Sequence, residues 1–252
     1  MATTTAPTPE AQAPLGPVAR LIGVLFNPKP TFSDIAQRPG WVAPMVVLLL
    51  ISIGLSVTLA QRVDWVEVSK QQIAKSKWAS SQIDQLKEDQ KQSAYEQAAA
   101  RTKVIRYVRG FIGWPLLLLI SSAVYLGAFK LLGGARTSFA TAFAITTFAN
   151  LPVGLRELIA IPVTLLKDPA AIDPENFLVS NPAAIFGNDL PTWQIVPLTF
   201  LDVFGLWALL LVAVGFSASD PKKLPLGKSM GIVFGVSLAF VTFFTMLAWV
   251  FS

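Results

Sequence analysis

The sequence predicts an all-α polytopic membrane protein with five transmembrane helices, an N-terminal interfacial helix and a polar helical loop between the first two spans. Charged residues make up only 14% of the 252 positions and hydrophobic residues 53%, whereas a soluble domain carries about 25% charged residues. About 20 helical residues cross a hydrocarbon core. No apolar run alternates as a barrel strand would. The five apolar runs are residues 41–60, 115–132, 139–166, 195–217 and 229–251.

The absence of two residue types excludes several chemistries. Without cysteine the chain has no thiolate nucleophile and no thiolate metal site. Without histidine it has no Ser-His proteolytic pair, no zinc-binding HExxH motif and no histidine-ligated haem. We therefore predict no catalytic residue, no metal site and no cofactor. The net charge of +5 comes from scattered cations, which favours anionic lipid headgroups over nucleic acid as the partner.

The N-terminal region divides into a tail and two short apolar stretches. Residues 1–17 are rich in Ala, Thr and Pro with Glu10 as their single charge, which predicts a disordered tail before a membrane domain at 18–252. The first long apolar run begins at Trp41, so a cleaved signal peptide is not expected. The stretches 18–26 and 31–36 are too short to span. They suit an interfacial amphipathic helix with Trp41 at headgroup depth; a cytosolic linker is the alternative.

One long polar segment, 62–109, separates the first two apolar runs. It has no Pro or Gly and predicts two extramembrane helices with a break near Ala79 and Ser80, because Ser81 and Asp84 fit a capping pattern. A solvated hairpin is the expected arrangement, and packing against a partner is the alternative. Gly110 to Pro115 is predicted to break the helix and to start the second span, which the glycines at 133 and 134 then end.

The third apolar run is longer than one crossing requires. It has 28 residues and contains Pro152 and Pro162, which predicts a kink or break near Asn150 to Pro152. An acidic connection follows at 168–192, and a short basic turn at 220–228 precedes the last span.

Charged residues inside spans are candidates for function because they are costly in lipid. The clearest are Arg156, Glu157 and Asp202. Arg156 and Asp202 lie about 15 and 10 Å from the same connection, at 1.5 Å per residue, so they can meet if the third and fourth spans pack together. One interpretation is a polar centre beside the Pro152 break that binds a headgroup, an ion or a proton. The other is a structural ion pair, or Arg156 reaching a membrane edge with Glu157.

Small residues recur every four positions in the last span, at Gly227, Gly231, Gly235 and Ala239. Such a face lets another helix approach closely. Packing within the chain is the expected explanation, and a homo-oligomer interface is the alternative. Ser52, Ser56 and Ala60 repeat the pattern in the first span.

Four short motifs follow one another along the chain: LFNPKPTF at 25–32, PGWVAP at 39–44, LGGARTSF at 132–139 and FANLP at 148–152. Their order resembles the bacterial branch of the Yip (Ypt/Rab-GTPase-interacting protein) domain family. This resemblance covers residues 18–252, apart from the segment 62–109, which departs from the family pattern because the typical family loop is short. It implies a five-span protein with a cytosolic N-terminus. Eukaryotic members act in vesicle traffic through Rab-type GTPases and membrane-shaping partners.

The positive-inside rule gives a divided answer on orientation. With the N-terminus inside, the inner segments hold eight Lys and Arg residues and the acidic connection has only Lys167 at its start, but the segment 62–109 on the outer side holds ten. We therefore predict a cytoplasmic N-terminus in a bacterial inner membrane from the resemblance. The expected function is a non-enzymatic scaffold that organises the membrane or binds protein partners. The alternative is a transporter or channel subunit with a polar site at the broken third span, and an enzyme comes third.

Overall fold

The computed structural model describes residues 14–169, 172–174, 176–186 and 190–250, with only the backbone at Lys75 and Lys77. All regular structure in these ranges is helical, which confirms the predicted fold class. Most of the predicted tail, residues 1–13, lies outside the described ranges. The helices are α1 (Pro17–Phe26), α2 (Pro28–Gln37), α3 (Val42–Arg62), α4 (Trp65–Lys75), α5 (Lys77–Asp84), α6 (Glu88–Gly133), α7 (Phe139–Ala149), α8 (Leu151–Leu166), α9 (Ala183–Phe186), α10 (Thr192–Phe200), α11 (Val203–Ser219) and α12 (Leu226–Val250).

Four segments of the described chain are long and apolar enough to cross a membrane, and a fifth arises when one bent helix pair is taken as a single span. The four are α3, α6, the α7–α8 segment and α12, and the bent pair is α10 with α11. Helix α3 lies between α6 and α8, while α11 packs on α2, α7, α8 and α12. This arrangement confirms a polytopic helical membrane protein.

The second span does not begin at a helix break, so that prediction was wrong. Helix α6 runs without interruption from Glu88 through Gly110 and Pro115 to Gly133. Gly110 is buried where α6 meets α3, and a Cβ added there would lie 2.6 Å from Oγ of Ser56. The glycine therefore serves close helix packing, and Pro115 removes one hydrogen bond from a helix that tertiary contacts hold together.

The end of α6 follows the sequence prediction. Gly134 has a positive φ of 67°, a conformation that glycine adopts at little cost, and it ends the helix. Nζ of Lys223 donates to the Gly134 carbonyl at 3.1 Å, and Nζ of Lys228 donates to the Gly133 carbonyl at 3.1 Å. These cations from the basic turn complement the negative end of the helix dipole.

The polar segment also differs from its prediction in where its helices begin. Breaks lie at Ser76 and at residues 85–87, rather than near Ala79 and Ser80. Oγ of Ser76 accepts from the Ala79 amide and caps α5, whereas Ser81 lies inside α5 and donates to the Trp78 carbonyl at 2.9 Å. The Ser-x-x-Asp spacing fits a helix interior as well as a cap, which is why the sequence placed this break three to four residues late and predicted two helices where three occur.

The third and fourth spans are both interrupted. The third is broken at Asn150, between α7 and α8, as the prolines predicted. The fourth bends by 53° between α10 and α11, which the apolar run did not reveal. Asp202 stands at this bend and caps α11 through its Oδ1, which accepts from the Gly205 amide at 2.8 Å. A residue that reads as a charge inside a span is therefore also a helix N-cap.

The two short N-terminal stretches have different surroundings. Helix α1 exposes an apolar row at Val18, Ile22 and Phe26, as an interfacial helix would. In α2, Phe32 and Ile35 are fully buried in the main core, where α2 packs on α7 and α11. The apolar side of α2 therefore packs against protein rather than lipid, and the interfacial interpretation was wrong for that stretch.

Candidate functional site

Arg156 of α8 and Asp202 at the α10–α11 bend form an ion pair. Nη1 of Arg156 lies 3.2 Å from Oδ2 of Asp202. The same carboxylate oxygen also accepts a hydrogen bond from the hydroxyl of Ser180, in the acidic connection. Asp202 is 5% exposed, so its charge lies in the protein interior and depends on these donors. The two residues that the sequence placed at comparable depth are in contact, whereas their role stays a prediction.

Arg156 makes a further contact that fixes its position. Its guanidinium lies 5.5 Å from the ring centre of Phe177, which also belongs to the acidic connection. Such stacking of a cation on an aromatic face is favourable where water is excluded. Nε of Arg156 is buried and has no hydrogen-bond partner among the described residues. The Arg156 side chain is thus held through Nη1, while its Nε donor makes no hydrogen bond with the described residues.

Glu157, the neighbour of Arg156, contacts a different helix. Its Oε2 accepts from Nε1 of Trp114 in α6 at 3.2 Å. Trp114 is 4% exposed. The carboxylate is also within electrostatic range of Arg156, Arg109 and Arg106. Glu157 therefore faces the protein and a group of cations rather than the lipid.

A cavity of about 330 Å³ lies between α3, α6, α8, α10 and the acidic connection. Its wall carries three guanidinium groups and one carboxylate, together with serine, threonine and asparagine side chains. This volume is within the range of small-ligand sites. The lining residues are Ser52, Leu55, Ser56, Arg106, Arg109, Arg156, Glu157, Pro174, Asn176, Phe177, Ile195 and Thr199.

Arg106 and Arg109 were not identified as site residues from the sequence. They are three positions apart, so they lie on one side of α6, and both line the cavity. The outward side of the same helix is apolar. This alternation of arginines inward and aliphatic residues outward was the available signal. The outward residues, each at least half exposed, are Val104, Ile105, Val108, Phe111 and Ile112.

The acidic connection folds against this cavity through backbone contacts. Nη2 of Arg106 donates to the Pro174 carbonyl at 3.0 Å, and the Arg106 guanidinium lies 5.8 Å from the Trp65 ring centre. Nη2 of Arg62 donates to the Lys167 carbonyl at 2.9 Å and so joins the ends of the first and third spans. Although its polar residues suggest a solvated loop, the acidic connection therefore forms part of the cavity wall.

The Pro152 break does not open into the cavity. Pro152 is buried and is not among the lining residues. At the break, the Asn150 amide donates to the Thr146 carbonyl at 3.2 Å, and Nδ2 of Asn150 donates to the same carbonyl at 2.8 Å. Gly154, one turn on, lies against Leu48 of α3. Local contacts thus satisfy the Thr146 carbonyl, one of the backbone groups that a broken-helix transport site would offer to an ion.

The small-residue face of α12 lies open. A Cβ at Gly227, Gly231 or Gly235 would meet no atom of the described chain within 4 Å, and Ala239 is exposed. Packing within the chain was therefore the wrong explanation for these glycines, because α12 turns its other side inward. A contact with a second copy or another protein stays a prediction. In contrast, the matching face of α3 is buried: Ser56 lies against Gly110.

The chemistry that this arrangement supports is binding of an anion. Three guanidinium groups surround a space whose one carboxylate is already hydrogen-bonded. No cluster of three or more Asp or Glu residues that could hold a metal ion occurs within the described ranges. Arginine forks match phosphate and carboxylate groups in geometry and charge.

The fold and these buried charges define the class: a multi-pass helical membrane protein with a cationic cavity between its spans. The family follows from a comparison with family models, in which the Yip1 domain matches residues 22–250. The chain belongs to the Yip1 domain family. Comparisons with curated proteins and with solved structures gave no match.

Proposed function

We propose that this Yip-family protein is a non-enzymatic scaffold that binds protein partners and organises the membrane around it. The observation that supports the proposal is the helical arm formed by α4, α5 and the first part of α6. The arm connects the first two spans, and α4 packs along α6. We further propose that the protein belongs to the bacterial branch of the family and resides in the inner membrane with a cytoplasmic N-terminus, as the resemblance implies.

The arm has features of a protein-binding surface. Trp78 on α5 is 73% exposed. Tryptophan is enriched where partners bind, because it buries a large area and can donate one hydrogen bond. The described polar side chains of Ser81, Gln82 and Asp84 on the same helix are also exposed, which suits a partner of mixed polarity. We place the partner contact on α5.

The test is recovery of partners from native membranes after chemical crosslinking. The tagged protein is isolated in mild detergent and its companions are identified by mass spectrometry against an unrelated five-span protein. We expect a defined partner with the wild type, its loss with Trp78→Ser and its retention with Gln37→Ser, a change at an exposed position of α2. Equal recovery of that partner from all three proteins, or recovery of this chain alone, would contradict the proposal.

A transporter or channel subunit is the second candidate, supported by the cavity beside the interrupted third span. Its critical residues would be Arg156 and Asp202. Flux of anions across liposomes that contain the purified protein, abolished by Arg156→Leu with Asp202→Leu, would establish it. The backbone groups satisfied at Asn150 weigh against this candidate, as do five unequal spans that do not divide into two matching halves.

A further inference from the structure

We propose that the cavity between α3, α6 and α8 binds the phosphate group of an anionic phospholipid, held by the guanidinium groups of Arg106, Arg109 and Arg156. The proposal concerns a lipid site and does not depend on whether the arm binds a protein. It rests on three observations: the charge of the cavity wall, its depth relative to the membrane, and the mixture of polar and apolar lining.

The charge of the wall selects an anion. Among the described residues that line the cavity, three guanidinium groups outnumber the Glu157 carboxylate, which gives these residues a net charge of +2. Nη1 of Arg156 forms an ion pair with Asp202, while the buried Nε of Arg156 has no acceptor among the described residues. A phosphate oxygen would supply acceptors to such donors and offset the repulsion between the arginines.

The depth of the cavity relative to the hydrocarbon core favours a lipid headgroup as the ligand. Helix α6 ends at Gly133, and about 20 residues counted back from there cross a hydrocarbon core. That count places the core boundary near Gly113. At 1.5 Å per residue, Arg109 and Arg106 lie about 6 and 10 Å beyond it, at the depth of the headgroups, while Arg156 lies about 15 Å inside the end of α8, so the cavity extends from the headgroup level into the span. The exposed apolar side chains Val104, Ile105 and Val108 on the outward side of α6 agree with contact to the bilayer at this level.

The lining fits the remainder of a phospholipid headgroup. Hydroxyl groups of Ser52 and Ser56 can hydrogen-bond to glycerol or ester oxygens, and Leu55 and Ile195 provide an apolar surface for the first chain carbons. A volume of about 330 Å³ is larger than a bare phosphate needs. The cavity therefore suits a phosphodiester with its glycerol attached, and an inorganic phosphate ion is the other source of the same chemistry.

The experiment compares ligand binding by the full chain and two charge-matched double variants. Arg106→Gln with Arg109→Gln removes two cavity cations, and Arg101→Gln with Lys103→Gln removes two exposed cations from the same helix that do not line the cavity. The delipidated protein in detergent is titrated with short-chain phosphatidylglycerol, phosphatidylcholine and inorganic phosphate. Bound ligand is read by native mass spectrometry and by the shift in melting temperature.

We expect the cavity variant to bind phosphatidylglycerol roughly tenfold or more weakly than the wild type, since it loses charge-assisted hydrogen bonds, and the control variant to bind it normally. If inorganic phosphate alone gives the same variant-sensitive stabilisation, the site takes free phosphate and the headgroup assignment fails. Equal binding by both double variants, or binding of phosphatidylcholine as tight as that of phosphatidylglycerol, would overturn the lipid proposal.

A single substitution keeps the test decisive if the double variant does not fold. The Arg109 side chain is exposed at the cavity edge, so Arg109→Gln removes no core contact, and Arg101→Gln is its matched control. Weaker phosphatidylglycerol binding by Arg109→Gln alone supports the site. Unchanged binding by both single variants contradicts it.

Discussion

Arg156 and Asp202 hold two interrupted spans together, with Nη1 of the arginine 3.2 Å from Oδ2 of the aspartate. Asp202 also caps α11 at the 53° bend through its other carboxylate oxygen, Oδ1. One carboxylate therefore sets both the start of a helix and the contact between the third and fourth spans. We therefore expect the pair to stabilise the fold whether or not a ligand is bound.

The first prediction concerns the stability of the pair. Asp202→Leu removes the ion pair, the hydrogen bond from Ser180 and the helix cap together, whereas Arg156→Leu removes the ion pair and the contact with Phe177, so Asp202→Leu should lower the melting temperature more. Loss of a cap costs about 1 kcal/mol. A double-mutant cycle should give a coupling energy of about 1–3 kcal/mol. Thermal unfolding of the purified protein in detergent measures the melting temperatures and the coupling energy. A coupling energy near zero would show that the Arg156–Asp202 contact does not stabilise the fold.

The second prediction compares two glycines in spans. Gly110→Leu should destabilise the protein by about 1–3 kcal/mol, because the new side chain would meet Ser56 on α3. Gly231→Leu should leave the stability of the single chain unchanged, since a Cβ there meets no atom of the described residues within 4 Å. Melting temperatures at low protein concentration test the difference. Equal losses for both substitutions would mean that the α12 face is packed after all.

The third prediction concerns the side of the membrane on which each loop lies. The native chain has no cysteine, so a single introduced cysteine is its only thiol for labelling. Single cysteines at Gln37, Gln85 and Lys222 should report on three exposed positions. In the proposed orientation, a membrane-impermeant maleimide labels Gln85→Cys in spheroplasts, while the other two require permeabilised cells. The reverse pattern would overturn the cytoplasmic N-terminus. Labelling of positions 37 and 85 from the same side would contradict α3 as a span.

The sequence predicted the elements whose determinants are local. Apolar length identified the spans, Pro152 located the break at Asn150, and the glycines at 133 and 134 marked the end of α6. Each of these follows from the conformational preferences of a few neighbouring residues, so no tertiary contact is needed to predict it.

The features that the sequence missed depend on contacts between distant segments. Gly110 reads as a helix breaker, but its burial against Ser56 shows that it permits close packing. Asp202 reads as a charge in a span, although it caps a helix at a bend. The sequence predicted Arg106 and Arg109 to be part of a solvated segment, and only the packing of α3 against both α6 and α8 places them beside a cavity.

The central claim, that the helical arm binds a protein partner, is tested most directly by site-specific photo-crosslinking in native membranes. A photoreactive phenylalanine analogue replaces Trp78 in one protein and Gln37 in another, and irradiated products are separated by mass. The account predicts one discrete heterologous adduct from position 78 and none of that mass from position 37. Absence of any protein adduct at position 78, or the same adduct from both positions, would contradict it.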